Sequence, residues 1–156
     1  MAKHMTKGLT MLLLLVTVTF VTAVASANGQ SRNPARANIP FDFAVGDKVL
    51  PAGEYQVSSL TDGKAVVLVR SRDGKDSAVR LTYTENKTVA AEKGTLVFRR
   101  YANHYFLAEI WTAGEQTGRC LLKSKHERAI EKEMAMISPN DISNKFERVE
   151  VVTFYR

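Results

Sequence analysis

Four side chains that could recognise a ligand lie within five positions of the sequence. They are Tyr101, Asn103, His104 and Tyr105. Two phenols, an amide and an imidazole offer hydrogen-bond donors and acceptors beside flat rings, a combination enriched where proteins bind partners. We expect Asn103-His104 to form a turn, and loop tips are where functional side chains concentrate. The sequence therefore predicts a surface or ligand-binding site made by these four residues.

The sequence lacks the residue patterns of the common enzyme and metal-site classes. After residue 27 it contains two histidines, His104 and His126, and one cysteine, Cys120. Neither histidine has a second histidine, a cysteine or paired carboxylates at ligand spacing, so no metal site is expected. A Gly-x-Ser-x-Gly nucleophile motif and a phosphate-binding glycine loop are also missing. We accordingly predict no catalytic residues, no cofactor and no enzymatic activity.

A β-hairpin is predicted to position the four candidate residues. Residues 94–112 contain two runs rich in aromatic and branched side chains, one on each side of Asn103-His104. Asn tolerates the positive φ that a two-residue turn requires. We therefore expect the turn at this pair, which would set Tyr101 opposite Phe106.

Residues 1–27 have the organisation of a secretory signal peptide. Lys3 and Lys7 precede an apolar run from Leu9 to Val24, and the small residues at 25–27 fit a signal-peptidase site. The run is short for a bilayer span of about 20 residues. We predict cleavage after Ala27, with an uncleaved anchor as the alternative. The mature chain, from Asn28, is expected to contain no membrane span.

The single cysteine bears on how an exported chain would be stabilised. Cys120 cannot form a disulfide within the chain, so stability has to come from the hydrophobic core. Its neighbours include two leucines, which favours a buried core thiol. A disulfide between two copies of the chain is the alternative.

The charge balance narrows the classes of partner. The chain has 22 basic and 16 acidic residues, a net charge of +6, and removal of Lys3 and Lys7 would leave about +4. This excess is spread thinly along the sequence. Binding of nucleic acid uses a clustered basic patch with exposed aromatic side chains. We therefore predict no nucleic-acid partner.

The mature chain is predicted to form one domain. Residues 28–36 are polar and are expected to be a flexible lead-in, and residues 37–156 are expected to form a single β-rich domain. Alternating apolar residues predict about seven or eight strands, the first from Ala37 to Val45. Asp-Gly pairs at 62–63 and 73–74 predict hairpin turns. This pattern favours a mainly antiparallel sandwich or a small barrel.

One helix is predicted late in the chain, from about residue 125 to residue 136. Ser124 and Glu127 have the spacing of a capping box at its start. An apolar stripe on the helix is expected to pack against the sheet, and it consists of Ile130, Met134 and Ile137. A final strand is predicted from Phe146 to Tyr155.

Two parts of the mature chain resemble a family of exported bacterial β-rich proteins. The first part is the opening signature IPFDF-x-VG at residues 39–46 with LPAGEY at residues 50–55. The second part comprises residues 96–111 and residues 123–128. The resemblance covers most of the mature domain and implies a signal peptide, a small β-rich fold and a bacterial envelope location. The family has no known activity, so the resemblance assigns no functional residues.

These observations predict an exported bacterial β-domain with a structural or binding role in the periplasm, at the cell surface or outside the cell. Candidate partners are an envelope protein, a cell-wall component or an apolar small molecule. The alternative is a small β-barrel that carries an apolar ligand between the aromatic side chains of its strands. An envelope enzyme is the least favoured class.

Overall fold

The computed structural model describes residues 34–60, 65–137 and 146–154. Within these residues the chain forms ten strands and one helix, so the predicted fold class, mainly β with one helix followed by a final strand, is confirmed. The elements in chain order are β1 Ala35–Ile39, β2 Phe43–Val45, β3 Lys48–Leu50, β4 Gly53–Ser59, β5 Val66–Ser71, β6 Ser77–Asn86, β7 Thr95–Tyr101, β8 His104–Trp111, β9 Thr117–Leu121, α1 Lys125–Ile137 and β10 Glu147–Val152.

Some predictions fall on residues outside this range. The predicted signal peptide, residues 1–27, and the Asp-Gly turn at 62–63 lie outside the described residues. The same holds for residues 28–33 of the predicted lead-in. Its last residues are described, and β1 begins among them at Ala35. The other Asp-Gly turn is confirmed, since Gly74 has a φ of 75° between the paired strands β5 and β6.

The strands form one mixed sheet that is not closed. Strands β1, β4, β5 and β6 are neighbours in that order, and β6 also pairs with β9, which continues to β8, β7 and β10. The short β2–β3 hairpin joins β8 through a single parallel pair, Ala44 with Phe106. One isolated antiparallel bridge links Arg36 of β1 to Phe154, just after β10, with hydrogen bonds of 2.9 and 2.8 Å.

Strand β6 is the corner at which the sheet changes partners. Its residues 77–81 pair with β5, and its residues 82–86 pair with β9. Each half of β6 therefore has a paired edge and an edge without a strand partner among the described residues. This arrangement opens the sheet beside residues 77–81, where the candidate functional site lies.

The core is packed by aromatic rings that meet edge to face. The Phe43 ring lies 5.0 Å from Tyr55 and 5.5 Å from Phe98, with interplanar angles of 85° and 81°. All three side chains are buried, and the Tyr55 hydroxyl donates to the Pro51 carbonyl at 2.8 Å. Edge-to-face contacts of this kind stabilise a core beyond the area that the rings bury.

The predicted strand from Ala37 to Val45 is divided in the structure. Strand β1 ends at Ile39, and β2 begins at Phe43. Pro40 follows β1 directly and has no backbone N–H to donate to a ladder. The Asp42 side chain accepts a hydrogen bond of 2.8 Å from the Ala52 N–H, which fixes the bend between the two strands.

The β7–β8 hairpin forms as predicted, but its turn and register differ. The turn residues are Ala102 and Asn103, and Ala102 has a φ of 52°. A positive φ at the first position is what a type II′ turn requires. Tyr101 consequently lies opposite His104, and the predicted pairing of Tyr101 with Phe106 is wrong.

A register shift between Val97 and Phe98 changes the faces of β8. Phe98 lies opposite Leu107, and Val97 lies opposite Glu109, so Ala108 is an extra residue on β8. Such a bulge reverses the alternation of the strand beyond it. Leu107 and Ile110 therefore both belong to the core, although they are three residues apart.

Helix α1 begins where the capping pattern predicts and ends at Ile137. The Glu127 N–H donates to the Ser124 hydroxyl at 3.0 Å, which confirms Ser124 as the cap. Ile130 packs against Ala44, Tyr101 and Phe106. Ile137 is exposed, so the prediction that it packs against the sheet is wrong. The predicted stripe contacts the sheet in the N-terminal part of α1, and the last turn of the helix extends beyond the sheet.

Candidate functional site beside strand β6

The structure divides the four predicted site residues between two faces of the β7–β8 hairpin. Tyr101 lies opposite His104, and Arg100 lies opposite Tyr105. Because neighbouring residues of a strand point to opposite faces, Tyr101 and His104 share one face and Tyr105 lies on the other. Asn103 is exposed in the turn. The four residues therefore do not form a single patch, although they are close in sequence.

Tyr101 belongs to the packing beneath α1. Its ring lies 5.9 Å from the Phe106 ring, and its hydroxyl lies 3.2 Å from a Glu127 carboxylate oxygen. Burial and then the Glu127 charge raise the pKa of Tyr101 well above its usual value. His104 is exposed, and its ring centroid lies 6.4 Å from that of His126.

Tyr105 serves the packing of the opposite face. Its ring stacks on Phe41 with centroids 3.9 Å apart and an interplanar angle of 14°. The Arg100 guanidinium lies 5.4 Å from the Tyr105 ring centroid and also pairs with Glu147 at 2.9 Å. Tyr105 therefore holds the segment between β1 and β2 against the hairpin.

A buried ion pair fastens α1 to the sheet. The Glu127 side chain is 2% exposed, and its two oxygens accept hydrogen bonds of 2.5 and 3.1 Å from Arg99, which is 13% exposed. In a capping box the Glu127 side chain would turn back to the backbone N–H of Ser124. It bonds Arg99 and Tyr101 instead, because the sheet below the helix supplies a charged partner. This pair fixes the first turn of α1 on β7.

The sheet opens into a cleft of about 510 Å³ between β6 and the segment that leads from β9 into α1. The β2–β3 turn also contributes to its lining through Gly46 and Asp47. Clefts of roughly 300–1,000 Å³ are the usual size of ligand sites. This cleft is taken as the candidate functional site because its size is accompanied by exposed apolar and cationic side chains in its lining.

One wall of the cleft is apolar and open to solvent. Leu81 is 73% exposed, Leu122 is 75% exposed and Val79 is 52% exposed. Val66 lies opposite Leu81 on β5 and extends the same wall. Single exposed apolar side chains are ordinary on a protein surface, but a contiguous group beside a cleft marks an interaction site.

The rest of the cleft is basic. Four cationic residues line it against one carboxylate, Asp47, and they are Arg80, Lys123, Lys125 and Arg128. The Arg80 guanidinium donates to Asp47 at 3.0 Å and to the Val45 carbonyl at 3.3 Å. This hydrogen bond from Arg80 lowers the pKa of the Asp47 carboxyl below its usual value.

The remaining three cations differ in whether a carboxylate already pairs with them. Lys123 pairs with Glu131 at 2.7 Å, and Arg128 donates from Nε to the Ser124 carbonyl at 3.3 Å. Lys125 has no ion-pair partner among the described residues. The cleft therefore combines an apolar wall with an excess of positive charge.

Sequence reasoning missed this cleft. Its residues come from β6, from the β9–α1 junction and from the β2–β3 turn, which are far apart in the chain. The run Leu121-Leu122-Lys123-Ser124-Lys125 did signal a change from strand to helix. Nothing in the local pattern indicates that β9 stops pairing with β6 at this point.

Cys120 lies on β9, beside Tyr83 of β6. The thiol is buried and donates a hydrogen bond of 3.0 Å to Glu85. Burial, and then the Glu85 hydrogen bond, raise the pKa of Cys120 to about 12. A thiol that is buried and protonated at neutral pH supports the buried-thiol interpretation over a disulfide between two copies.

Within the described ranges, no group of three or more His, Cys, Asp or Glu side chains is arranged to hold a metal ion. In the same ranges, no helix has both the length and the apolar character needed to cross a membrane.

No protein family, curated protein or solved structure gives a significant match to this chain. The fold and the cleft thus define a mainly β domain with a basic and apolar surface cleft.

Proposed function

We propose that this chain is an exported bacterial β-domain that acts by binding, in the periplasm, at the cell surface or outside the cell. Its cleft would take a ligand in which an anionic group is attached to an apolar group. One observation carries the proposal. Exposed apolar side chains, Leu81 and Leu122 above all, line the same cleft as four cationic residues.

The two parts of the cleft would contribute differently to binding. Covering exposed apolar surface contributes roughly 25 cal/mol per Å² removed from water, so Leu81 and Leu122 would supply affinity. The cations would attract the anionic group and orient it. Because Arg80 and Asp47 are both substantially exposed, their ion pair is weak and can exchange for a ligand anion.

The proposal places the ligand at the surface rather than in the interior. An apolar carrier, the alternative from sequence, would need space among the aromatic side chains of the strands. In the core, the Phe43 ring is packed edge to face against both Tyr55 and Phe98. The surface cleft has both open apolar area and charge, which favours a binding protein over an interior carrier.

Export is tested by the mass of the protein recovered from an expression host. Expression of the full chain in a bacterium should give a periplasmic protein that starts at Asn28, because residues 25–27 fit a signal-peptidase site. Intact-mass measurement reads the cleavage position directly. A protein that stays in the membrane fraction at full mass would instead support an uncleaved anchor.

Binding is tested with dodecanoate, an anion on an apolar chain. Titration calorimetry should detect binding that weakens on the order of tenfold when Lys125 and Arg128 are both replaced by Glu, and that weakens further as salt rises. The matched control is Lys132→Glu, on the same helix but outside the cleft lining, which should change little.

A second amphiphile separates charge recognition from simple detergent binding. Dodecyltrimethylammonium has the same chain with a cationic head, and the proposal expects it to bind far more weakly than dodecanoate. Equal affinity for both amphiphiles would rule out the cleft as a site for anionic amphiphiles. Dodecanoate affinity that is unchanged by the Lys125 and Arg128 replacements would rule it out as well.

A further inference from the structure

Strand β6 presents an unpaired backbone edge inside the cleft. The Thr82 N–H donates to the Ala65 carbonyl at 2.8 Å, on the β5 side of the strand. Backbone groups alternate between the two edges of a strand. Val79 and Leu81 therefore direct their N–H and C=O groups away from β5, into the cleft that they line. Among the described residues, no strand pairs with this edge.

The edge is open because β9 leaves it. The register sets Thr82 opposite Leu121, and its continuation would set Leu81 opposite Leu122. The chain turns away there, since Ser124 caps α1 three residues after β9 ends. At the other end of the edge, the Lys48 ammonium already bonds the Ser77 carbonyl at 2.7 Å. The open stretch thus lies between Ser77 and Thr82.

We propose that the cleft receives an extended peptide segment as an added strand on the β6 edge, and that acidic and apolar side chains alternate along this segment. The inference rests on the proposed function and narrows its ligand to a polypeptide. Addition of a strand to an exposed edge gives affinity through main-chain hydrogen bonds and specificity through alternate side chains.

The alternation follows from the two faces of β6. Side chains of an added strand lie beside those of the same face on its neighbour. On one face the neighbours are Leu81 and Val79, which are exposed and apolar. On the other face the neighbour is Arg80, whose partner Asp47 can be replaced by a carboxylate of the peptide. Lys125 and Arg128 add positive charge at the opposite wall.

The test uses protein expressed from the full chain and a fluorescein-labelled hexapeptide that alternates Val and Glu. Fluorescence anisotropy should show binding of this peptide. The same peptide is also prepared in two N-methylated forms, or phases, one methylated at the odd-numbered amides and the other at the even-numbered amides. Only one of these phases lacks the N–H groups that would bond to β6. We expect one phase to lose affinity on the order of tenfold or more and the other to lose little.

The protein side is tested by Val79→Pro. Proline removes the Val79 N–H, which faces the cleft, while the β5 ladder keeps its bonds. Peptide affinity should fall at least tenfold. Val152→Pro, at an exposed position of β10, controls for a general effect of proline in a strand. If Val79→Pro fails to fold, the N-methyl pair still decides, because it leaves the protein unchanged.

The outcomes separate this inference from the proposed function. Dodecanoate binding with no peptide binding, or equal loss for both N-methyl phases, would overturn the added strand and leave the cleft as a site for anionic amphiphiles. Binding of phosphatidylglycerol vesicles but not of the hexapeptide would likewise overturn it in favour of lipid. If the unmodified protein binds neither the peptide nor dodecanoate, both proposals are overturned.

Discussion

Replacing Glu127 with alanine is expected to lower the free energy of unfolding by about 3–5 kcal/mol. The Glu127 carboxylate is almost fully buried and bonds Arg99 twice. Its removal would leave the mostly buried Arg99 charge without its partner, and it would also take a hydrogen-bond acceptor from Tyr101. Chemical denaturation of the two proteins gives the difference directly.

Two further variants show whether the loss in free energy of unfolding comes from the Arg99 charge that is left unpaired. Glu131→Ala breaks the more exposed pair with Lys123, and should cost no more than about 1 kcal/mol. A double variant, Arg99→Met with Glu127→Leu, removes both charges together and should recover much of the lost stability. A Glu127→Ala protein as stable as the Glu131→Ala protein would contradict a fastening role for the buried pair.

Phe98→Ala should cost about 3–5 kcal/mol, because it removes a fully buried ring from the centre of the core. The ring meets Phe41 at 5.2 Å and Phe43 at 5.5 Å, both edge to face. The backbone of β7 is held between β8 and β10, so the sheet has little freedom to close the resulting cavity.

Thermal and denaturant unfolding of Phe98→Ala, Phe98→Leu and Val152→Ala provide a graded series. Phe98→Leu keeps most of the side-chain volume and should lie between the parent and Phe98→Ala. Val152 is exposed, so its truncation should stay within about 0.5 kcal/mol. Similar losses for Phe98→Ala and Val152→Ala would mean that the packing around Phe98 is loose.

Local patterns in the sequence were sufficient for much of the fold. The start of α1 was predictable because Ser124 combines a capping hydroxyl with a change of apolar period. Most strands were predictable from alternation alone. The hairpin turn was not, because Ala102 is a poor turn residue that the pairing of the flanking strands forces to positive φ. The bulge at Ala108 leaves no local signal either.

The candidate site could not be predicted from local sequence patterns, for a different reason. Val79, Leu81 and Tyr83 alternate as buried residues of a strand would, and yet all three are half or more exposed. Their exposure depends on the partners of β6, which come from other parts of the chain. The opposite holds for Tyr101 and Tyr105. Their position near a loop tip predicted ligand recognition, but both rings pack against other aromatic side chains.

The bridge between Arg36 and Phe154 has a consequence for when the fold can be completed. It joins positions that are 154 − 36 = 118 residues apart, and contacts of such long range form late because the intervening chain must first be ordered. Strand β10, which supplies the outer neighbour of β7, also emerges from the ribosome after every other strand described. The sheet can therefore be completed only after all nine of the other described strands have been made.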